Sequence, residues 1–369
     1  KNMKLNKRSK SILIKSGIAL IAVGAVLTIA TSVMLSMPAT INMFLGGDKL
    51  VTEKNEQDLD GNYYDYKTNS TTESIDFAHD ATEKITSEGF VLLKNDSLNA
   101  TKKSLPLTHG AKVSLFGYYA LHQNMSGGED PRTVEGSYPI DKGLQEVGFN
   151  LNPTLNSMYE ASNGEVDVKN FSSEVKASYN NFNDAAIVVI KRNSGEGNDQ
   201  ERDLGASEDH RTGLSLKNIE LDLIAHACEN FDNVIIVINS ANTMELGFLN
   251  GGSNYVDPYN GKTYDFGNIK SAIWVGGTGS YGAISLGKII EGTVNPSGHL
   301  PDTYAANLKD DPTYKNFGSY KYTNSADAGS YSDNSYFVEY EEGVYVGYKY
   351  YETAAYEASK GNYIGFNYD

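Results

Sequence analysis

Six consecutive apolar residues, Ala185 to Ile190, constrain this chain most, because a strand without a polar side has to be covered on both faces. Val234 to Ile238 and Ala272 to Val275 have the same character. Between them, Leu216 to Phe231 repeats apolar residues at spacings of three and four, the pattern of an amphipathic helix, and Tyr281 to Glu291 forms another after the third run. Earlier, Ser74 to Gly89 reads as a helix closed by glycine, Phe90 to Leu93 and Lys112 to Tyr119 as strands, and Asp141 to Val147 as a helix ended by Gly148. Strands alternating with helices predict an α/β fold: a mostly parallel sheet with helices on both faces.

The segment DAAIVVIKRNSGEGNDQERDL, from Asp184 to Leu204, adds a glycine-flanked carboxylate, Glu196, to the end of the first run. In open α/β sheets ligands sit beyond the carboxyl ends of the strands. Gly195 and Gly197 let the backbone turn and leave Glu196 room to project into a cleft. Taken alone, the segment also describes a solvated acidic loop, the ordinary fate of a glutamate.

Ahead of the α/β pattern, Ser16 to Gly47 carries no charge, and Gly17 to Met37 is apolar enough to cross a hydrocarbon layer of roughly 30 Å as a helix. Lys1, Lys4, Lys7, Arg8, Lys10 and Lys15 precede it with no acid, which places the N-terminus in the cytoplasm and the remainder outside. A cleaved signal peptide is the competing reading, with small residues supplied around Met37-Pro38-Ala39-Thr40; the length of the apolar run favours an uncleaved anchor. Without those six positive charges the formal net of −16 becomes −22, which argues against a nucleic-acid partner. The expected organisation is a basic segment at 1–15, an anchor or signal at 16–37, a polar spacer at 38–72, an α/β domain at 73–320 and a tyrosine-rich exit segment at 321–369.

A single cysteine, Cys228, excludes an intramolecular disulfide and sits in an apolar helical context that suits a buried thiol. The histidines are scattered without zinc spacing, so no transition metal and no cofactor is expected. Gly277-Thr278-Gly279-Ser280-Tyr281-Gly282 matches G-x-G-x-x-G, with Asp302 following 20 residues after the last glycine. Asp302 directly follows Pro301 rather than ending a parallel strand, which tells against a dinucleotide site. Tyrosines recur at 336, 340, 345, 348, 350 and 351; they suit sugar stacking, but core packing near a sheet edge is the favoured reading.

Together these segments resemble the α/β sandwich domain of glycoside hydrolase family 3. Glu88 to Asn95 followed by Leu105-Pro106-Leu107, Lys112 to Gly117 and Ser194-Gly195-Glu196-Gly197 carry the likeness, as do Trp274-Val275-Gly276-Gly277, Gly292 to Pro301 and Glu342 to Tyr351. The resemblance implies a Rossmann-like sheet and an acid/base role for Glu196 in a retaining β-glycosidase that removes terminal β-linked sugars. Ser126, Gly127, Arg192 and Asn193, on loops after strands, are candidates for binding sugar hydroxyls, though satisfied turn residues describe them as well. With the domain first in the chain, the likeness is to a subgroup whose (β/α)8 barrel follows and supplies an aspartate nucleophile in a Ser-Asp-Trp context. No such triplet occurs: the only tryptophan is Trp274. The expectation is therefore half an active site, inactive by itself, whose alternative is an anchored sugar-binding module without turnover. The motif departs from the family at Asn198-Asp199-Gln200-Glu201-Arg202, which weakens any role for Asp199 or Arg202.

Overall fold

The computed structural model describes residues 7–36, 68–123, 125, 130–193, 200–316, 320–323 and 336–362. Lys7–Ser36 is one uninterrupted helix, α1, belonging to a unit of its own. Its Ile, Leu and Val side chains are exposed all round, and from Lys10 to Ser36 it is long and apolar enough to cross a membrane; a signal sequence meets the same description.

From Thr68 onward the fold is α/β. Helix α2 (Thr71–Gly89) starts where the Ser70 side chain accepts from the Glu73 N–H at 3.1 Å while Glu73 accepts from Asn69, a reciprocal cap. Strands β1 (Val91–Asn95) and β2 (Lys112–Phe116) follow. Next come α3 (Ile140–Glu146), β3 (Asn150–Leu151), α4 (Pro153–Glu160), α5 (Ser173–Ser178), β4 (Ala185–Arg192), α6 (Asn218–Asn230) and β5 (Val234–Ser240). A short hairpin, β6 (Tyr255–Val256) with β7 (Thr263–Tyr264), leads into β8 (Ile269–Trp274) and α7 (Ala283–Glu291). The last described elements are α8 (Pro312–Asn316), a two-residue pair β9 (Tyr320–Lys321) and β10 (Tyr336–Phe337), and α9 (Tyr348–Ser359).

The main sheet has the order β1-β8-β5-β4-β2-β3, parallel throughout except that β1 runs antiparallel along β8. Every residue of β4 and β5 is buried, as the unbroken apolar runs require, so both faces are covered. One cover holds α2, α3 and α7; another packs α6 and the α5 region on β2, with Phe116, Phe171, Tyr179, His226 and Phe231 in edge-on or tilted contact. Each branched side chain enclosed this way contributes roughly 1.5–3 kcal/mol, which makes β4 and β5 the stable spine of the domain.

The predicted strand at 112–119 is shorter than expected. At Gly117 φ is 100°, the ladder stops, and the Tyr118 N–H turns to the Glu165 carboxylate instead of a neighbouring strand. The tyrosine-rich segment also differs from its favoured reading: Tyr340, Tyr348 and Tyr356 are exposed, and 348–359 is a helix, not edge packing. Its tyrosines recur without a strand's strict alternation, so composition suggested burial that the spacing does not support.

Helices α3 and α7 cross unusually closely. A Cβ built on Gly143 would lie 2.5 Å from the Ala283 carbonyl carbon, and one on Gly287 would lie 2.8 Å from Val147. Gly143→Ala is therefore expected to cost about 1–3 kcal/mol by forcing the helices apart. Gly89→Ala, where nothing stands within 4 Å, is expected to stay within about 0.5 kcal/mol of the parent. Denaturant melts of the two variants check this; equal stabilities would disprove the close crossing.

Candidate functional site

Strands β2, β4, β5 and β8 run parallel, so Phe116, Arg192, Ser240 and Trp274 end at one edge of the sheet. Beyond β4 the chain passes Asn193 and is described again from Gln200. The Gln200 side-chain amide donates to the Asn193 carbonyl, so the segment between them leaves and returns at one neck above the strand. Glu196 belongs to that segment and lies outside the described residues, as do Ser126 and Gly127.

Arg192 is buried, and all five of its N–H donors are engaged. Nε donates to the Gly213 carbonyl at 2.6 Å, Nη1 to the Lys191 carbonyl at 2.6 Å, Nη2 to the Ser215 carbonyl, and both Nη atoms to the Glu220 carboxylate at 2.7 Å. No donor is left over for a sugar hydroxyl, so the hydroxyl-binding role expected of Arg192 is corrected to a structural one. Glu220, in the first turn of α6, also accepts from the Lys217 N–H at 2.8 Å. One ion pair thus joins the end of β4, the start of α6 and the turn at 213–215. Asn193, by contrast, is exposed and lines a polar cavity of about 320 Å³ with Tyr119, Lys191, Gln200 and Glu201.

The loop after β2 is tied to the same edge. Lys191 donates from Nζ to the His122 carbonyl at 2.8 Å and lies 5.1 Å from the centre of the Tyr119 ring; burial lowers its pKa, with Asp130 partly opposing. His122 meets Asp130 through Nδ1 at 2.5 Å and stacks on Tyr118. These two residues bracket the stretch that holds Ser126 and Gly127. Glu165 closes the corner: its carboxylate accepts from the Tyr118 N–H at 2.9 Å and its own neighbour Val166 at 3.2 Å. Burial pushes its pKa up to about 7, against the lowering effect of those two bonds.

The return arm of the loop, from Gln200 to Gly213, has an anchor that sequence reasoning missed. Arg211 is fully enclosed and donates to Asp257 at 2.8 Å, the Leu216 carbonyl at 2.6 Å, the Glu208 carbonyl at 2.9 Å and Asn218 at 2.7 Å. Asp209 and His210 turn there with φ of 54° and 55°. The only signal was an arginine in a loop rich in acids, which is common on surfaces.

The G-x-G-x-x-G segment has a packing explanation. A Cβ on Gly282 would lie 2.2 Å from the Thr278 carbonyl oxygen and 2.7 Å from Thr86, because α2 presses on the start of α7 through Thr86–Ser285 at 2.7 Å. Asp302 is exposed and belongs to no strand. Cys228 is buried in α6, which pushes its thiol up to about 12. Among the described residues, no three His, Cys, Asp or Glu side chains come together as a metal site.

A mostly parallel sheet covered on both faces, with four strands ending at one carboxyl edge, defines a doubly wound α/β domain. The model of the glycosyl hydrolase family 3 C-terminal domain matches residues 90–348, and the chain belongs to that family. β-Glucosidase A of Butyrivibrio fibrisolvens is 28% identical over 304 residues, covering 75% of this chain and 33% of that protein. A β-glucosidase of Ruminococcus albus is 27% identical over 293 residues, covering 74% and 26%. The chain thus spans a third or less of these relatives' length. Among solved structures, a β-glucosidase from Paenibacillus barengoltzii superposes with a TM-score of 0.55 at 27% identity, over 74% of this chain and 27% of that one. β-Glucosidase 3B from Thermotoga neapolitana, in complex with glucose, gives 0.58 at 24% identity over 77% and 37%, a likeness of fold.

Two outcomes follow from the rim. Glu220→Ala leaves the Arg192 guanidinium enclosed without its counter-charge and is expected to cost about 3–5 kcal/mol in a denaturant melt; an unchanged melt would contradict the assigned scaffold role. Glu165, with a raised folded pKa, contributes stability that is complete below the usual carboxylate range and is lost as pH rises through about 7. Part of the residue reaches solvent, so the loss is on the order of 1–2 kcal/mol. Melts of the parent and Glu165→Gln from pH 4 to 8 are expected to diverge across that interval; parallel curves would rule the titration out.

Proposed function

We propose that this domain supplies the proton donor of a retaining β-glycosidase, with Glu196 as acid/base. The supporting observation is the neck at Asn193 and Gln200. Glu196 is three residues beyond Asn193 in the chain, so covalent reach alone keeps the two Cα atoms within about 11 Å. That reach keeps Glu196 within range of the carboxyl edge of the sheet, where Asn193 and Gln200 line a polar cavity. Its relatives are named β-glucosidases, which favours a β-glycoside as substrate.

A retaining mechanism needs two carboxyl groups about 5–5.5 Å apart: one attacks the anomeric carbon, the other protonates the departing oxygen and later deprotonates water. Glu196 takes the second role. The nucleophile comes from a (β/α)8 barrel that follows in the same protein, as in the subgroup this sequence resembles. Approach of that carboxylate and exclusion of water would both raise the Glu196 pKa toward the value a general acid needs. Asn193, and Ser126 and Gly127 on the loop bracketed by His122 and Asp130, are assigned to the sugar hydroxyls; Arg192 acts through position, holding the strand end from which the loop departs. The domain occupies 73–320, with a spacer at 38–72 and an exit segment at 321–369. Helix α1 anchors it at the outer face of the cell membrane, or directs its secretion.

Glu196→Gln is expected to abolish nearly all hydrolysis of aryl β-glycosides by the protein that joins this domain to its barrel, with azide restoring part of the rate when the leaving group is good. The 369-residue chain by itself is expected to show no hydrolysis. Full activity in the Glu196→Gln enzyme would refute the assignment.

A further inference from the structure

The corner where β2 ends is closed by a carboxyl group without a counter-ion. Glu165 makes no ion pair among the described residues; Oε2 accepts from the Tyr118 N–H at 2.9 Å and Oε1 from the Val166 N–H at 3.2 Å. The chain it holds is pinched. A Cβ on Gly117 would lie 3.0 Å from the Val189 carbonyl oxygen of β4 and 3.4 Å from Glu165 Oε2, so the backbone there is pressed between the strand and the carboxyl group. Tyr159, from α4, is fully enclosed beside Glu165, and among the described residues its hydroxyl meets no partner at hydrogen-bonding geometry. The other groups facing the carboxyl are Glu220 from α6, already paired with Arg192 of β4, and Tyr119 from the loop itself.

The two protonation states differ in what this corner can satisfy. A protonated Glu165 keeps both N–H bonds through its lone pairs and has an O–H to offer the Tyr159 oxygen, an acceptor without a donor. An ionised Glu165 puts a charge in a half-buried place near a second carboxylate, where two N–H donors only partly replace the lost water. Ionisation therefore favours any arrangement in which the carboxylate reaches water, and Tyr118 is then released. Tyr118 carries more with it: its ring stacks on His122 at 4.2 Å, His122 meets Asp130, and the His122 carbonyl receives Lys191 Nζ from β4. We infer that Glu165 is a proton-operated latch for the loop after β2: protonated, it holds the Tyr118–His122 segment against the sheet edge; ionised, it lets that segment open locally. The closed corner binds the proton more tightly than the open one. Closure is therefore complete below the usual carboxylate range and weakens as pH rises toward about 7, where burial has pushed the Glu165 pKa. The latch does not depend on the function proposed above, since neither Glu196 nor a substrate takes part in it.

Amide hydrogen exchange of the full chain in detergent, followed by mass spectrometry between pH 5 and 8 and corrected for the intrinsic pH dependence of exchange, tests the latch. Protection of 117–122 is expected to fall about tenfold or more from pH 5 to 7 and then to level off, at values well below those of β5. Low urea is expected to leave it unchanged while eroding the protection of β5, because a local opening exposes little surface. Glu165→Gln, uncharged throughout, is expected to abolish the pH dependence. Tyr159→Phe removes a hydroxyl that favours the ionised carboxylate and is expected to move the transition to higher pH; it takes the place of Glu165→Gln if that variant fails to fold. Three results overturn the latch: protection of 117–122 that is constant with pH in the parent, an equal fall in Glu165→Gln, or a transition unmoved by Tyr159→Phe and tracking β5 in size and urea response.

Discussion

The Arg192–Glu220 pair is the interaction on which the carboxyl edge of the sheet depends. It is a doubly bonded, charge-assisted contact in the interior, between the last residue of β4 and the first turn of α6. Ions in such a place gain little over a well-packed apolar pair, but removing either one is severe because the other stays enclosed. What the pair supplies is position. It fixes where β4 stops, and three backbone carbonyls converge on the same guanidinium, so the strand end, the helix start and the 213–215 turn move as one body. The chain leaves that body at Asn193, and beyond Gln200 it is tied back by Arg211, which donates to the Leu216 carbonyl and to Asn218 at the start of α6.

Much of the fold was legible because its strongest signals are local. An apolar run of six residues has no amphipathic alternative, so β4, and likewise β5 and β8, emerged from the sequence with boundaries close to those observed. Helices α6 and α7 followed from periodicity over two turns or more. Two-residue strands such as β3, β6 and β7 carry no period to detect, and the antiparallel setting of β1 is a property of its partner, not of its own residues. Short helices α4 and α5 rest on single caps, Asn152 and Ser172, whose side chains accept from Leu155 and Val175. Such caps recur throughout loops and discriminate poorly.

The end of β4 was legible in the sequence, whereas the partners of the residues there were not. Position after a buried strand is a statement about topology, and topology was inferred well. Whether a polar side chain faces inward or toward a ligand depends on its long-range partners. Arg192 illustrates the difficulty: beside a candidate acid it reads as a sugar contact, yet its counter-ion lies 28 residues away and the remaining acceptors are carbonyls, which no sequence pattern reveals. The same holds for Arg211 with Asp257 and for Glu165 with the Tyr118 amide. Long-range pairing is invisible in a period of two or of 3.6 residues.

The charges near the edge are set by partners inside the scaffold. Glu220 is enclosed there and Glu165 is half-buried, and Tyr119 feels both: burial raises its pKa and the two carboxylates add to the effect. Arg192 and Lys191 are the cations set against them, the first fully committed to Glu220 and the second partly desolvated. Glu220 is neutralised by Arg192, so of these two carboxylates Glu165 alone adds net negative charge at this edge, and only where it is ionised. Under the function proposed above, the scaffold acts by position: it directs its buried arginine inward and fixes the strand end from which the loop departs.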